Sequence, residues 1–188
     1  MPPISFKANY LKTVTIPCLP KPGIEQEKDV SIVELNTSDK IDMRALRTVA
    51  DLWDNKANTY AYSIYKRADI YNPDADEHRT HYIALTMQNY DYKKLDPKKV
   101  LGLVEVEEKD GPENEINYIQ VDPSNNSDDS PYSRRCKKVG TTLLDYIKER
   151  YSDKQIYVNS SYSAVDFYKK NGFTTKQGCK DSQLIWTS

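Results

Sequence analysis

The chain has 188 residues with 27 basic and 28 acidic side chains, a formal net charge of −1. That size suits one domain, or one domain with an extension, and so balanced a charge gives no global field to select nucleic acid or an anionic membrane as partner. The three cysteines (Cys18, Cys136, Cys179) are far apart and odd in number, which suggests neither a disulfide framework nor a zinc site; the N-terminus has no long apolar run, so neither a signal peptide nor a membrane span is expected, and a cytoplasmic protein of a reducing compartment is the default.

Residues 4–16 read as one extended segment. Pro17, Pro20 and Pro22 follow within six residues, and no helix or central strand can run through them. Residues 1–28 are therefore read as an N-terminal extended arm, and 29–188 as the domain proper. Residues 29–35 form a strand by their β-branched content. Thr37, Ser38 and Asp39 are capping candidates for a helix in which Met43, Leu46, Ala50 and Trp53 recur at helical spacing. A second stripe runs Tyr60, Ile64, Ala68 before polar residues and Pro73 break it.

Three strands follow, at 81–87, 100–107 and 115–121, the last two joined by a hairpin turn through Asp110-Gly111. Simple alternation puts Val100, Val104 and Val106 on one face of the middle strand and Leu101, Leu103, Glu105 and Glu107 on the other. In the third it groups Glu115, Asn117, Ile119 and Val121. Pro123 ends that strand. A polar insert, Ser124–Ser133, leads to a basic turn carrying Arg134, Arg135, Lys137 and Lys138. Val139, Leu143, Leu144, Ile147 and Tyr151 then make the apolar stripe of a helix. A short strand (155–158), a helix capped by Ser161 or Ser163 and closed by Asn171-Gly172, and strands at 173–175 and 183–186 complete the chain. The order implies a mixed α/β sheet with helices on both faces.

The strand, basic turn and helix around residues 119–144 carry the chemistry. The first turn of a helix leaves backbone N–H groups unpaired, and its dipole end is positive. With four cations beside it, the turn is arranged to hold a pyrophosphate; an ordinary solvated helix start is the plain alternative.

Two stretches extend this reading. IQVDP (Ile119–Pro123) precedes RCKKVGTTLL (Arg135–Leu144), and SAVDFYKKNGF (Ser163–Phe173) follows. Together, in this order and on these elements, they resemble the GNAT superfamily of acetyl-CoA-dependent N-acetyltransferases over residues 29–188. The resemblance implies a mixed, mostly antiparallel sheet of six to seven strands, splayed in the middle, with helices on both faces. It implies acetyl transfer from acetyl-CoA to an amine, small or peptide-borne, by direct attack, in a monomer or homodimer. Ile119, Val121, Arg135, Lys137, Lys138, Val139, Gly140 and Thr141 are the implied cofactor-binding residues, with Arg135 and Gly140 at the first and last positions of the family's Arg/Gln-x-x-Gly-x-Gly/Ala pattern. Lys138 stands where the middle glycine is expected. It either points outward, leaving the backbone free to approach phosphate, or crowds the site.

Tyr168 is the implied proton donor to the leaving thiolate, and a core tyrosine is its alternative. Glu115, six residues before Val121, matches the spacing of a general base in the histone-type branch, with Glu105 in reserve; both also read as ordinary strand glutamates. Tyr60, Tyr62, Tyr65 and Trp53 are either acceptor-pocket or core residues. No metal is implied. The alternative to an enzyme is a GNAT-fold module that binds CoA without catalysis or serves as an interaction domain.

Overall fold

The computed structural model describes residues 8–21, 24–55, 57, 59–70, 79–88, 94–125 and 135–188. Strands β1 (Asn9–Lys21) and β2 (Ile24–Glu34) open the fold. Helices α1 (Lys40–Asp54) and α2 (Ala61–Ile70) follow, then β3 (Arg79–Thr86), β4 (Val100–Glu108) and β5 (Glu113–Val121). After them come α3 (Val139–Arg150), β6 (Gln155–Asn159), α4 (Val165–Lys170), β7 (Thr174–Thr175) and β8 (Gln183–Trp186). The eight strands form one sheet in the order β1-β2-β3-β4-β5-β6-β8-β7. Every pairing is antiparallel except β5 with β6.

The strand count exceeds the expected six to seven because β1 belongs to the sheet. It pairs with β2 along most of its length, Asn9 opposite Glu34 and Lys21 opposite Ile24. Pro17 and Pro20 are tolerated because β1 is an edge strand, where a missing N–H breaks no central ladder. The boundary drawn at residue 28 falls inside β2.

Two apolar layers sandwich the sheet. On one face α1 and α2 pack Leu46, Val49, Trp53 and Ile64 against Val33, Ala84 and Leu103. On the other, α3 and α4 pack Leu143, Leu144, Ile147 and Tyr168 against Ile32, Ile83 and Val104. Asp39 starts α1 as expected, its Oδ1 accepting from Ile41 N (2.7 Å) and Asp42 N (3.1 Å). Gly102 lets α3 lie close on the sheet, since a Cβ there would stand 2.8 Å from Val139 Cγ1.

Two bulges break the simple alternation. Thr86 pairs with Val100 but Leu85 with Gly102, so Leu101 is an extra residue in β4. Leu101 therefore joins Val104 and Val106 under α3, while Val100 joins Leu103 under α1. In β5, Glu105 pairs with Tyr118 but Val106 with Ile116, leaving Asn117 extra. A bulge adds one residue and shifts the side-chain period beyond it. Ile119 and Val121 thus pack on the α3 face, whereas the Asn117 side chain reaches Glu105 and Glu107. The face grouping Glu115 and Asn117 with Ile119 and Val121 is corrected accordingly.

The cysteine expectation is also corrected. Cys18 of β1 and Cys136 of the basic turn form a disulfide across a sequence separation of 118; Cys179 is free and exposed. Spacing along the chain carries no sign of this pairing, because only the curl of β1 toward the turn brings the two together. Closing so long a loop restricts the unfolded chain. Replacing both Cys18 and Cys136 by Ser should lower stability by about 2–4 kcal/mol in urea denaturation. A midpoint equal to that of the oxidised parent would show the pair to be unbridged.

Candidate functional site

The site begins where β5 and β6 part. They pair from Glu113 opposite Gln155 to Ile116 opposite Val158, and no further. The β5 bulge lies immediately beyond. Asp122 N donates to Leu101 O at 2.9 Å. By the two-residue alternation of a strand, the N–H groups of Ile119 and Val121 then point away from β4, into the opening. A cavity of about 840 Å³ occupies it.

One end of the cavity is the basic turn. Cys136 N donates to Asn125 Oδ1 (2.8 Å), and Lys137 N to Pro17 O (2.7 Å). Leu19 N returns a bond to Arg135 O (2.8 Å). The turn's own amides therefore hold it to β1 and to the end of β5. The donors left over are those of the first turn of α3, at Val139, Gly140 and Thr141, which have no intrahelical partner. Asn125 Nδ2 is buried without a hydrogen-bond partner beside them. Gly140 sits against Phe167, whose Cζ would be 3.0 Å from an added Cβ, so a side chain there would need the Phe167 ring to give by a few tenths of an ångström.

Lys138 occupies the N-cap of α3 at φ 59°, ψ 15°. It is the one non-glycine residue with positive φ among the described residues. That left-handed conformation explains why glycine suits the position: it has no Cβ to clash. The Lys138 backbone adopts what the turn requires, and the side chain bears the steric cost.

The sequence-derived cofactor residues divide. Ile119, Val121, Lys137, Lys138, Val139, Gly140 and Thr141 all line the cavity. Arg135 does not. Its guanidinium folds behind the turn, 3.3 Å from Lys98 O and 3.6 Å from Asp122 Oδ2, so it braces the loop. Lys137 Nζ is ion-paired with Glu25 of β2. Arg134 lies outside the described residues, as does most of the insert before it.

Tyr168 lines the cavity and is 4% exposed. Phe167 and Phe173 meet its ring edge-on, at 5.2 and 5.4 Å. Burial pushes its phenol well above the ordinary value, so it holds its proton throughout the physiological range. Neither Ser161 nor Ser163 caps α4 through its side chain. Their hydroxyls bond one another at 3.1 Å, and both line the cavity.

Glu115 is not among the lining residues. It precedes the bulge and is ion-paired with Lys109, a bond that raises the lysine's pKa. Glu105 is fully buried, with Oε1 2.5 Å from Arg67 Nε. Burial raises its pKa, opposed by Arg67. Of the four aromatic candidates, Tyr60 lines the cavity and Trp53 is core. Sequence reasoning missed Asn117, Tyr118, Gln120 and Asn125, all cavity residues. Their positions depend on the bulge and on the path after Pro123, for which the chain carries no local signal. Among the described residues, no helix is long and apolar enough to cross a membrane.

Residues 130–184 match the family model described as an acetyltransferase (GNAT) domain. Among solved structures, a tandem GNAT protein from the clavulanic acid biosynthesis pathway matches at TM-score 0.52 and 14% identity, covering 79% of this chain and 45% of that one. This chain thus spans less than half the length of that protein. Tetrahymena GCN5 matches at TM-score 0.50 and 15% identity, covering 80% and 91%. A GNAT-family acetyltransferase from Staphylococcus aureus Mu50 matches at TM-score 0.51 and 14% identity, covering 84% and 98%. No curated protein sequence matches. At these identities the structures establish the fold, and the family model agrees with it. The chain has the GNAT fold, and the resemblance drawn from its two motifs holds.

Relief of the left-handed residue gives a direct check on the turn. A non-glycine residue in that conformation costs roughly 1–2 kcal/mol, from which glycine's extra unfolded-state entropy, about 0.4–1 kcal/mol, is subtracted. Lys138→Gly should raise the urea midpoint by the equivalent of up to about 1.6 kcal/mol, while Lys138→Ala should bring no gain.

Proposed function

We propose that this GNAT-fold chain transfers an acetyl group from acetyl-CoA to an amine by direct attack. The observation that carries the reading is the continuous cavity joining the N-terminus of α3, the free strand edge of Ile119–Val121 and Tyr168. An extended phosphate-bearing thioester suits that order of groups. The pyrophosphate would meet the N–H groups of Val139, Gly140 and Thr141, with Lys138 and Asn125 Nδ2 beside them. The pantetheine arm would run along β5 as a further strand does, taking the Ile119 and Val121 N–H groups. A carbonyl oxygen that becomes negative during attack is stabilised by such a donor.

The balance of the reaction is simple. The amine nitrogen bonds to the thioester carbonyl carbon as the carbon–sulfur bond breaks. An ammonium substrate gives up two protons in all; the thiolate takes one and the other leaves to solvent. Tyr168 is the donor offered to sulfur. Its raised pKa makes full transfer uphill, so its part is to stabilise the departing thiolate with a strong hydrogen bond. Holding amine and thioester together supplies much of the remaining acceleration. Glu115 takes no step in this scheme, since it stands outside the cavity and is committed to Lys109.

Acetyl-CoA should raise the melting temperature in proportion to RT ln(1 + [L]/Kd), and no shift at millimolar acetyl-CoA would overturn the reading in favour of a non-catalytic interaction module. In an amine screen that detects released thiol, Tyr168→Phe should lower kcat by roughly 10²-fold, the loss expected for one donor to a developing charge, with acetyl-CoA affinity retained. Glu115→Gln should turn over like the parent.

A further inference from the structure

The end of the cavity away from the basic turn has a chemistry of its own. It lies on the α2 side of the sheet, because the bulge turns Asn117 and Tyr118 to that face. Tyr60, just before α2, completes it. The Tyr60 and Tyr118 rings stand 5.6 Å apart and 34° from parallel. Tyr60 is 52% exposed and lines the cavity, so about half of the residue stays open to a ligand.

The polar groups here are oriented by their partners. Asn117 Nδ2 donates to Glu105 Oε1 (3.0 Å) and Glu107 Oε2 (3.3 Å). Glu105 Oε1 also accepts from Arg67, so the amide nitrogen must face these oxygens. The Asn117 Oδ1 is left for the cavity that the residue lines. Gln120 is spent at both ends, its Oε1 accepting from Tyr60 N (3.1 Å) and its Nε2 donating to Val121 O (2.8 Å). It fixes Tyr60 against β5. No aspartate or glutamate is among the described lining residues. The negative charge of Glu105 and Glu107 is felt there only from behind Asn117.

Such a wall is poorly suited to a polycation, which needs several carboxylates in contact. It suits one amine on a flat apolar body: a carbonyl oxygen accepts the amine's N–H, and two tyrosine rings cover the body. We propose that the acceptor is a primary arylalkylamine, its nitrogen held by Asn117 Oδ1 and its ring packed on the Tyr60–Tyr118 pair. This rests on the acetyl-transfer reading and adds to it the class of acceptor and the residues that select it. Glu105 and Arg67 act through Asn117 as positioning residues.

The test compares 2-phenylethylamine, spermidine and N-acetyl-lysine methylamide as acceptors at saturating acetyl-CoA, with calorimetric titration of acetyl-CoA alongside. The expected result is kcat/KM for 2-phenylethylamine at least tenfold above the other two. Asn117→Leu and Tyr60→Ala should each raise its KM tenfold or more at unchanged acetyl-CoA affinity, and Tyr60→Phe should restore the parent value. Tyr60 is half-exposed, so its variants report even if Asn117→Leu fails to fold. Preference for spermidine or the lysine derivative would overturn the proposal, as would a KM indifferent to Tyr60→Ala. Acetyl-CoA binding with no turnover of 2-phenylethylamine would overturn it while leaving the cofactor reading standing. Absence of acetyl-CoA binding would overturn both.

Discussion

The parting of β5 from β6 is the constraint on which the rest of the structure depends. Parallel pairing stops at Ile116 and Val158, and the extra residue Asn117 follows at once. A bulge bends and twists its strand, so the next residues of β5 swing away from β6. Two backbone donors, at Ile119 and Val121, are thereby denied a strand partner. Buried backbone N–H groups without partners are costly, so an opening of this kind persists only where water or a ligand reaches it. The sheet is in effect built one strand short at its centre, and the cavity is the missing strand's place.

Keeping that place open falls to the packing on either side. On one face α3 is drawn close by Gly102, which admits Val139 at a distance a Cβ would forbid, and by Gly140, against which Phe167 packs tightly. That close approach aims the start of α3 at the end of β5. On the other face α1 and α2 form a separate apolar layer around Trp53 and Leu46. Both layers contribute to the walls of the opening, Val139, Val158 and Tyr168 from one side and Tyr118 with Tyr60 from the other. The basic turn is then fixed by a disulfide, by backbone bonds to Pro17 and Leu19, and by the Asn125 carboxamide. A turn held so firmly would bind the proposed anion with little ordering left to do. The same firmness lets Lys138 sit in a conformation that lysine disfavours.

Much of this was legible in the sequence, for physical reasons that can be named. The Leu143–Ile147 stripe, the β-branched runs and the Asp39 cap each reflect local chemistry, so the elements fell within a few residues of their expected places. The two motifs placed the turn and Tyr168, since both sit on continuous segments. The misplacements within β4 and β5 had a common cause, since counting along a strand assumes an unbroken period. Glu115 was grouped with Val121 by spacing, and the bulge at Asn117 separates them. Leu101 was misassigned by the same mechanism. Cys18 and Cys136 lay beyond reach because a contact across a separation of 118 residues is a property of the fold. The prolines of β1 read as a barrier to any central strand, which they are; the edge of the sheet was the solution that left them room.

In the proposed reaction, the bulge would also tie the two substrate sites together. Because Asn117 is the inserted residue, the backbone just beyond it faces the opening while its side chain reaches Glu105 and Glu107 on the other side of the sheet. On the proposed reading, one irregularity would turn a donor toward the thioester and an acceptor toward the amine along a single strand. The groups behind Asn117 follow the same economy. Glu105 is fully buried with Arg67 as its counterion, an arrangement whose desolvation cost is seldom repaid as stability alone. Its return is geometric, since a carboxylate fixed by a guanidinium can dictate which end of the Asn117 amide enters the cavity. An apolar pair in its place would pack as well and leave that amide free to turn.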